Sequence, residues 1–290
     1  MSIEVKDGKV FLATEDKTST AEVYLYGATV TSWKHHAEEK LFVSSKAHLD
    51  GSKAIRGGIP VVWPIFGPPP KDEENLPYHS KLSQHGFART STWTVKSEIK
   101  EFGIVGVELE LKPTKSISSI FPFPFVLRYT VTLDGKSLNV ALTVLNTHEE
   151  NYLKFQALLH SYFTVPSHVD ARISDVAGLT YADKLRGGNR FTEDRSVIDV
   201  ATETDRVYFK TPQELSLLYG EKKEGGLKIS VEGFVDTTIW NPDEKTGSAI
   251  ADMEDRGWEK YVCVEPGFID TFYTLTPGDE WTGSMTLTAF

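Results

Sequence analysis

Lys154-Phe155-Gln156-Ala157-Leu158-Leu159-His160-Ser161-Tyr162-Phe163-Thr164-Val165 is the stretch on which the reading of this chain turns. It is apolar, rich in aromatic and β-branched residues, and stopped by Pro166, which predicts a strand buried on both faces. Strand side chains alternate, so Gln156, Leu158, His160 and Tyr162 are expected on one face and Ala157, Leu159, Ser161 and Phe163 on the other. An imidazole in mid-strand is costly to bury without a partner. Two readings of His160 stand side by side. It is a core histidine bonded to a backbone carbonyl, or an acid/base catalyst on a rigid strand.

The sequence around this stretch is also strand and turn. Residues 126–133 and 137–145 form a hairpin about Asp134-Gly135, and 3–12 another about Asp7-Gly8. Residues 20–33 alternate but carry Gly27, which signals a bend or a close backbone approach. Residues 41–43 read as a short strand, and 105–111 alternates. Further strands are expected at 207–209, 214–219, 227–231, 237–240, 261–264 and 284–287. Phe121-Pro122-Phe123-Pro124-Phe125 reads as packing. Residues 71–81 read as an exposed loop, and 167–205 as a polar stretch. Strong helical periodicity is absent. These features predict an all-β, antiparallel sandwich. Without a linker or a fixed-period repeat, residues 1–290 read as one domain.

Composition narrows the function. With 290 residues the chain can bury a large core. The formal net charge of −10 argues against a nucleic-acid or anionic-membrane partner. No apolar run is long enough to span a membrane, and the first residues do not read as a signal peptide. A single cysteine, Cys263, excludes an internal disulfide and suits a reducing cytoplasm. Nucleotide-binding glycine fingerprints, CxxC pairs and HExxH are missing from the sequence.

Three further segments carry chemistry. Tyr261-Val262-Cys263-Val264-Glu265-Pro266-Gly267 puts Cys263 and Glu265 on one strand face. Glu265 is either a general base or a cap on the next turn. Cys263, with no adjacent cation, reads as an inert buried thiol. Residues 55–70 hold Arg56 before Gly57-Gly58, and glycines and prolines there forbid a helix. This sticky, irregular segment suits the wall of a cleft. Gln84-His85-Gly86-Phe87-Ala88-Arg89 places an amide, an imidazole and a guanidinium together. Arg56 and Arg89 read either as surface arginines or as the local cations an acidic protein needs to hold an anion. Their glycine neighbours are expected to let backbone approach a ligand. Asp205 reads as a sugar-hydroxyl acceptor or as a surface partner of Arg206. His35-His36 make a poor metal pair, because adjacent strand residues face opposite ways. His48, His79, His148 and His168 read as surface residues.

Taken in order, Arg56-Gly57-Gly58-Ile59-Pro60, Trp63-Pro64, Phe66-Gly67, Gln84-His85-Gly86-Phe87-Ala88-Arg89, Leu159-His160-Ser161-Tyr162-Phe163, Ile239-Trp240-Asn241-Pro242 and Val264-Glu265-Pro266-Gly267 resemble the glucose-6-phosphate 1-epimerases. These are the hexose-6-phosphate mutarotases of the aldose 1-epimerase superfamily. The resemblance covers nearly the whole chain; its least regular part is residues 71–81. It implies a β-supersandwich like that of galactose mutarotase, with no cofactor and no metal. It implies His160 as general acid and Glu265 as general base. It also implies Arg56, Gln84, His85, Arg89 and Asp205 as substrate contacts, and a cytoplasmic monomer acting on a hexose 6-phosphate.

The chemistry also follows from the residue types. Anomer exchange needs one group to take the C1 hydroxyl proton and another to protonate the ring oxygen. A carboxylate and an imidazolium, expected on opposite sides of the sugar, do this without a cofactor. Remote phosphate binding positions C1. Two other readings remain: a mutarotase for neutral sugars, and a non-catalytic sugar-binding protein on the same sandwich.

Overall fold

The structure, a computed structural model, describes residues 1–220 and 225–290. Ser2–Lys6, Lys9–Ala13, Ser19–Tyr24, Val30–His35 and Glu38–Glu39 form a five-stranded meander, with Asp7-Gly8 at its first turn. Two larger sheets of nine and eight strands make up most of the rest. Ser137–Asn146, in the nine-stranded sheet, shows the strict alternation its sequence predicts. Leu138, Val140, Leu142 and Val144 are buried and their neighbours half-buried. Each such side chain contributes roughly 1.5–3 kcal/mol of apolar burial, more than an exposed ion pair gives. One hydrophobic cluster draws Val131, Leu142 and Met285 from the nine-stranded sheet, Leu159, Phe163 and Val264 from the eight-stranded sheet, and Val23 and Trp33 from the meander. Helix is confined to short pieces such as Lys115–Ile120 and Asp243–Gly247.

The eight-stranded sheet positions the site. Its order places Thr204–Phe209 beside Asp236–Asn241, then Tyr261–Leu275, then Leu153–Leu159, then Val61–Val62, all antiparallel. Tyr162–Thr164 continues along Tyr261–Leu275. Residues 154–165 are therefore not one strand. The ladder holds at Leu158↔Gly267, resumes at Tyr162↔Cys263, and is open between them. The register carries straight across this gap and sets His160 opposite Glu265. Pro266, which cannot donate to a ladder, lies in the same gap. The predicted alternation survives: Leu159 and Phe163 join the main cluster, whereas Leu158 and Tyr162 pack on the other face.

Several expectations change. Residues 20–33 are two strands folded back at Gly27, where a Cβ would meet the Arg89 carbonyl oxygen at 2.6 Å. Residues 41–43 form only isolated bridges, Leu41 to Phe163 and Val43 to Gly57. The strand begun at Tyr261 runs 15 residues to Leu275. The polar stretch 167–205 holds four short strands: Arg172–Ser174, Thr180–Asp183, Asn189–Thr192 and Val197–Asp199.

Candidate active site

A cavity of about 510 Å³ opens over the gap in the ladder, and all seven residues singled out from the sequence line it. His160 Nδ1 lies 3.3 Å from Glu265 Oε1, in ion-pair range but not aligned as a hydrogen bond. They are neighbours on one sheet face rather than groups on opposite sides of a ligand, because the register places them in the same row. Thr238 stands opposite Glu265 on the other flank. Two residues along, Tyr162, Cys263, Trp240 and Asp205 form the next row.

Electrostatics divide the pair in an unexpected way. Glu265 is 1% exposed, and no hydrogen bond reaches it among the described residues. Burial pushes its carboxyl well above the usual range; Lys184 opposes the shift and Asp205 adds to it. Burial holds His160 well below its ordinary value, and His85, Arg89, Arg56 and Lys184 push it the same way. Both shifts favour the neutral forms, a carboxyl at Glu265 beside a neutral imidazole at His160. That arrangement and the ion pair of a Glu265 carboxylate with a His160 imidazolium carry the same single proton.

Arg56 and Arg89 reach the cavity as partly buried groups, not surface arginines. Arg56 donates from Nε to Asp252 (3.0 Å) and from Nη1 to the Tyr162 hydroxyl (3.2 Å). Tyr162 and Asp252 help hold it cationic. Arg89 donates from Nη2 to the Gln84 carbonyl (3.1 Å), and its buried Nε has no partner. Burial lowers its pKa. The neighbouring glycines serve backbone packing. A Cβ at Gly57 would meet the Phe42 carbonyl oxygen at 2.3 Å, and one at Gly86 the Trp63 carbonyl oxygen at 2.2 Å. Both have positive φ, so they let backbone pack on backbone and fix where the arginines leave the chain.

His85, itself at positive φ, accepts from the Gly67 N–H at Nδ1 (3.2 Å), which leaves the proton of the neutral ring on Nε2. Burial, then Arg89, Lys184 and Arg56, lower its pKa to about 3. Gln84 is exposed at the rim. Asp205 pairs with Lys184 Nζ at 2.9 Å, not with Arg206, which turns to Asp183 and Glu193. Lys184 also lies over the Phe66 ring, 4.5 Å from its centroid.

Sequence reasoning missed Lys184, Thr238, Tyr162 and Asp252. Lys184 lies in the polar stretch 167–205, which carried no motif. Tyr162 and Trp240 stood inside quoted motifs but without a role. Asn241, in the same motif, is structural: its Nδ2 donates to the Trp258 and Tyr261 carbonyls. Two histidines read as surface residues are buried. His79 bonds the Lys154 carbonyl from Nε2 (2.7 Å), and His168 Nε2 lies 4.0 Å from Asp243 Oδ1. Cys263 is fully buried, and burial raises its thiol pKa. His160, Cys263 and Glu265 each bring a ligand atom within 4.8 Å of the others, but a cation there would first have to displace the thiol proton.

The sequence profile of the aldose 1-epimerases matches residues 9–288. A Cenchrus ciliaris protein provisionally named a glucose-6-phosphate 1-epimerase is 36% identical over 282 residues, covering 93% of this chain and 81% of that one. An Escherichia coli K12 protein of the same provisional name is 30% identical over 257 residues, covering 88% and 82%. Among solved structures, a provisionally named mutarotase from Salmonella typhimurium superposes with a TM-score of 0.87 at 24% identity, covering 99% of this chain and 92% of that one.

Proposed function

The chain belongs to the aldose 1-epimerase family, and from that membership we propose that it interconverts the α and β anomers of glucose 6-phosphate, with His160 and Glu265 as the acid/base pair. The observation that carries the reading is the His160–Glu265 contact of 3.3 Å, set in a cavity that also receives Arg56 and Arg89. The C1 hydroxyl and the ring oxygen are both bonded to C1. The groups that serve them must therefore be neighbours, and the shared row of the sheet supplies that better than opposite walls would.

One group takes the C1 hydroxyl proton as the other protonates the ring oxygen. The bond from C1 to the ring oxygen breaks, the aldehyde rotates about C1–C2, and the ring closes with the transfers reversed. The pair needs one proton in total. His160 acts as acid and Glu265 as base once that proton has passed from carboxyl to imidazole, and reclosure returns it.

Arg56 and Arg89 take the phosphate, with Lys184 as a third cation. Gln84, His85 and Asp205 take the sugar. The reading extends to related hexose 6-phosphates, to one domain over residues 1–290, and to a cytoplasmic monomer without a nucleic-acid or membrane partner. It is supported by the shared hydrophobic cluster, the single buried cysteine and the net charge of −10. No helix of the described residues is long and apolar enough to cross a membrane.

The test is anomer exchange followed by NMR on glucose 6-phosphate beside glucose. The phosphate should raise kcat/KM by about 30-fold or more, the value of a partly desolvated charge pair. Equal values for the two sugars would move the assignment to a neutral-sugar mutarotase.

A further inference from the structure

The phosphate ligand and the imidazole are joined by one ring. The Tyr162 hydroxyl accepts from Arg56 Nη1 at 3.2 Å. Its ring lies parallel to the His160 imidazole, with 6° between planes and 4.8 Å between centroids. Trp240 packs edge-on against both, 5.9 Å from His160 and 6.1 Å from Tyr162. Tyr162 is 2% exposed and pinned through its backbone: its N–H bonds the Gly58 carbonyl and its carbonyl accepts from Phe42. It has little room to move except with the Arg56 segment, and the tilt of the imidazole follows its face.

We propose that a phosphate dianion held at Arg56 activates the chemistry as well as anchoring the substrate, and that Tyr162 is the positioning residue that carries its effect to His160. This inference rests on Arg56 being a phosphate ligand. A dianion drawing the guanidinium toward itself changes the contact with the Tyr162 hydroxyl and so the seat of the imidazole. The local field acts in the same sense. His160 faces Glu265 on one side and His85, Arg89, Arg56 and Lys184 around it, and these four disfavour its protonated form. A dianion among them offsets that penalty when a phosphorylated sugar is bound.

The experiment separates the anchor from the activator by supplying them as two molecules, unphosphorylated glucose and inorganic phosphite. The quantity read is the ratio of glucose anomer exchange at saturating phosphite to that without it, within each variant. Wild type should give a ratio of about tenfold or more, the value of a hydrogen bond to a charged group. Tyr162→Phe keeps the stacked ring and loses the hydroxyl. Its ratio should fall below about threefold, while calorimetry still detects phosphite binding. Asp252→Asn loosens Arg56 from its far side. It should weaken phosphite binding yet keep the ratio at saturation, a split that general damage to the fold would not produce. An equal ratio in wild type and Tyr162→Phe overturns the coupling and leaves the phosphate site standing. So does a wild type that phosphite does not activate, although phosphite competes with glucose 6-phosphate. If phosphite neither activates nor competes, the phosphate site and the coupling both fall.

Discussion

Two hollows lie along the strand Tyr261–Leu275, and the proposed site is the smaller. Around residues 268–271 a depression of about 640 Å³ is lined by well-matched groups. Asp236 accepts from the backbone N–H groups of Ile269 (3.0 Å), Asp270 (2.9 Å) and Lys210 (3.4 Å). Arg190 donates to Asp270 at 2.5 Å and lies over the Phe209 ring at 4.2 Å. Around Glu265 the cavity is about 510 Å³ and poorly matched. Glu265 has no hydrogen bond among the described residues, and His160 Nδ1, Thr238 Oγ1 and Arg89 Nε are buried without one. Leaving such a group unpaired costs about 1–3 kcal/mol. That cost is sustained where a ligand supplies the missing partner, so unpaired polarity marks a site better than volume does.

The sharpest way to break this comparison is to remove one group from each hollow. His160→Ala should lower kcat on glucose 6-phosphate by about two orders of magnitude or more, whereas Arg190→Ala should change it by less than about twofold. Steady-state anomer exchange on both variants decides the matter. A large loss in Arg190→Ala would mean the larger depression takes part.

Within the smaller cavity, the proposed phosphate ligands come next. Arg56→Ala or Arg89→Ala should reduce kcat/KM for glucose 6-phosphate by about 30-fold and that for glucose far less. Lysine at either place should rescue only in part, since it keeps the charge and loses the fork. Equal losses on the two sugars would point to a structural role.

Thermal unfolding contrasts the two buried carboxyls. Asp236→Asn sets an amide N–H₂ against backbone donors and should lower the melting temperature by about 2–8 °C. The mirror-image effect is expected at Glu265. Its folded pKa lies above the ordinary 4.5, so the folded state binds this proton more tightly than the unfolded chain does. Stability from this group is present below 4.5 and is lost as pH rises toward the raised value. A variant without the charge escapes that loss. A wild-type melting temperature that rises with pH through this window faster than that of Glu265→Gln would contradict the assignment.

The smallest effect is expected at Cys263, which shares the Glu265 face but is fully buried, its thiol held protonated. Cys263→Ser should keep more than about half of kcat, since no proton transfer passes through it. A loss as deep as that of the acid/base variants, in folded protein, would bring the thiol into the chemistry.

Legibility followed local chemistry. Asp7-Gly8 announced its hairpin because a type I′ turn demands positive φ at both residues; at Asp134-Gly135 the glycine alone supplies the positive φ of the turn, and Gly27 announced a bend for the same reason. The break at His160-Ser161 had no such residue. It arises because the chain there leaves the ladder, a long-range event with no local signature. Pro266-Gly267 argued for the end of a strand, yet Tyr261–Leu275 runs through it, since the missing N–H falls where no neighbour asks for one. The residues now proposed as acid, base and phosphate ligands stood out by type. That His160 and Glu265 share a row is a fact of register, which separate segments do not contain. Lys184 was invisible because a lysine in a polar stretch is ordinary until the fold brings Asp205 to it.

The central claim is that Glu265 is kept unpaired and poorly solvated for the sake of proton transfer. Glu265→Gln tests it when activity and stability are measured on the same sample at neutral pH. Glucose 6-phosphate anomer exchange should fall by about two orders of magnitude or more, while the melting temperature rises by about 2–6 °C. Activity near wild type, or a loss of activity together with a lower melting temperature, would contradict it.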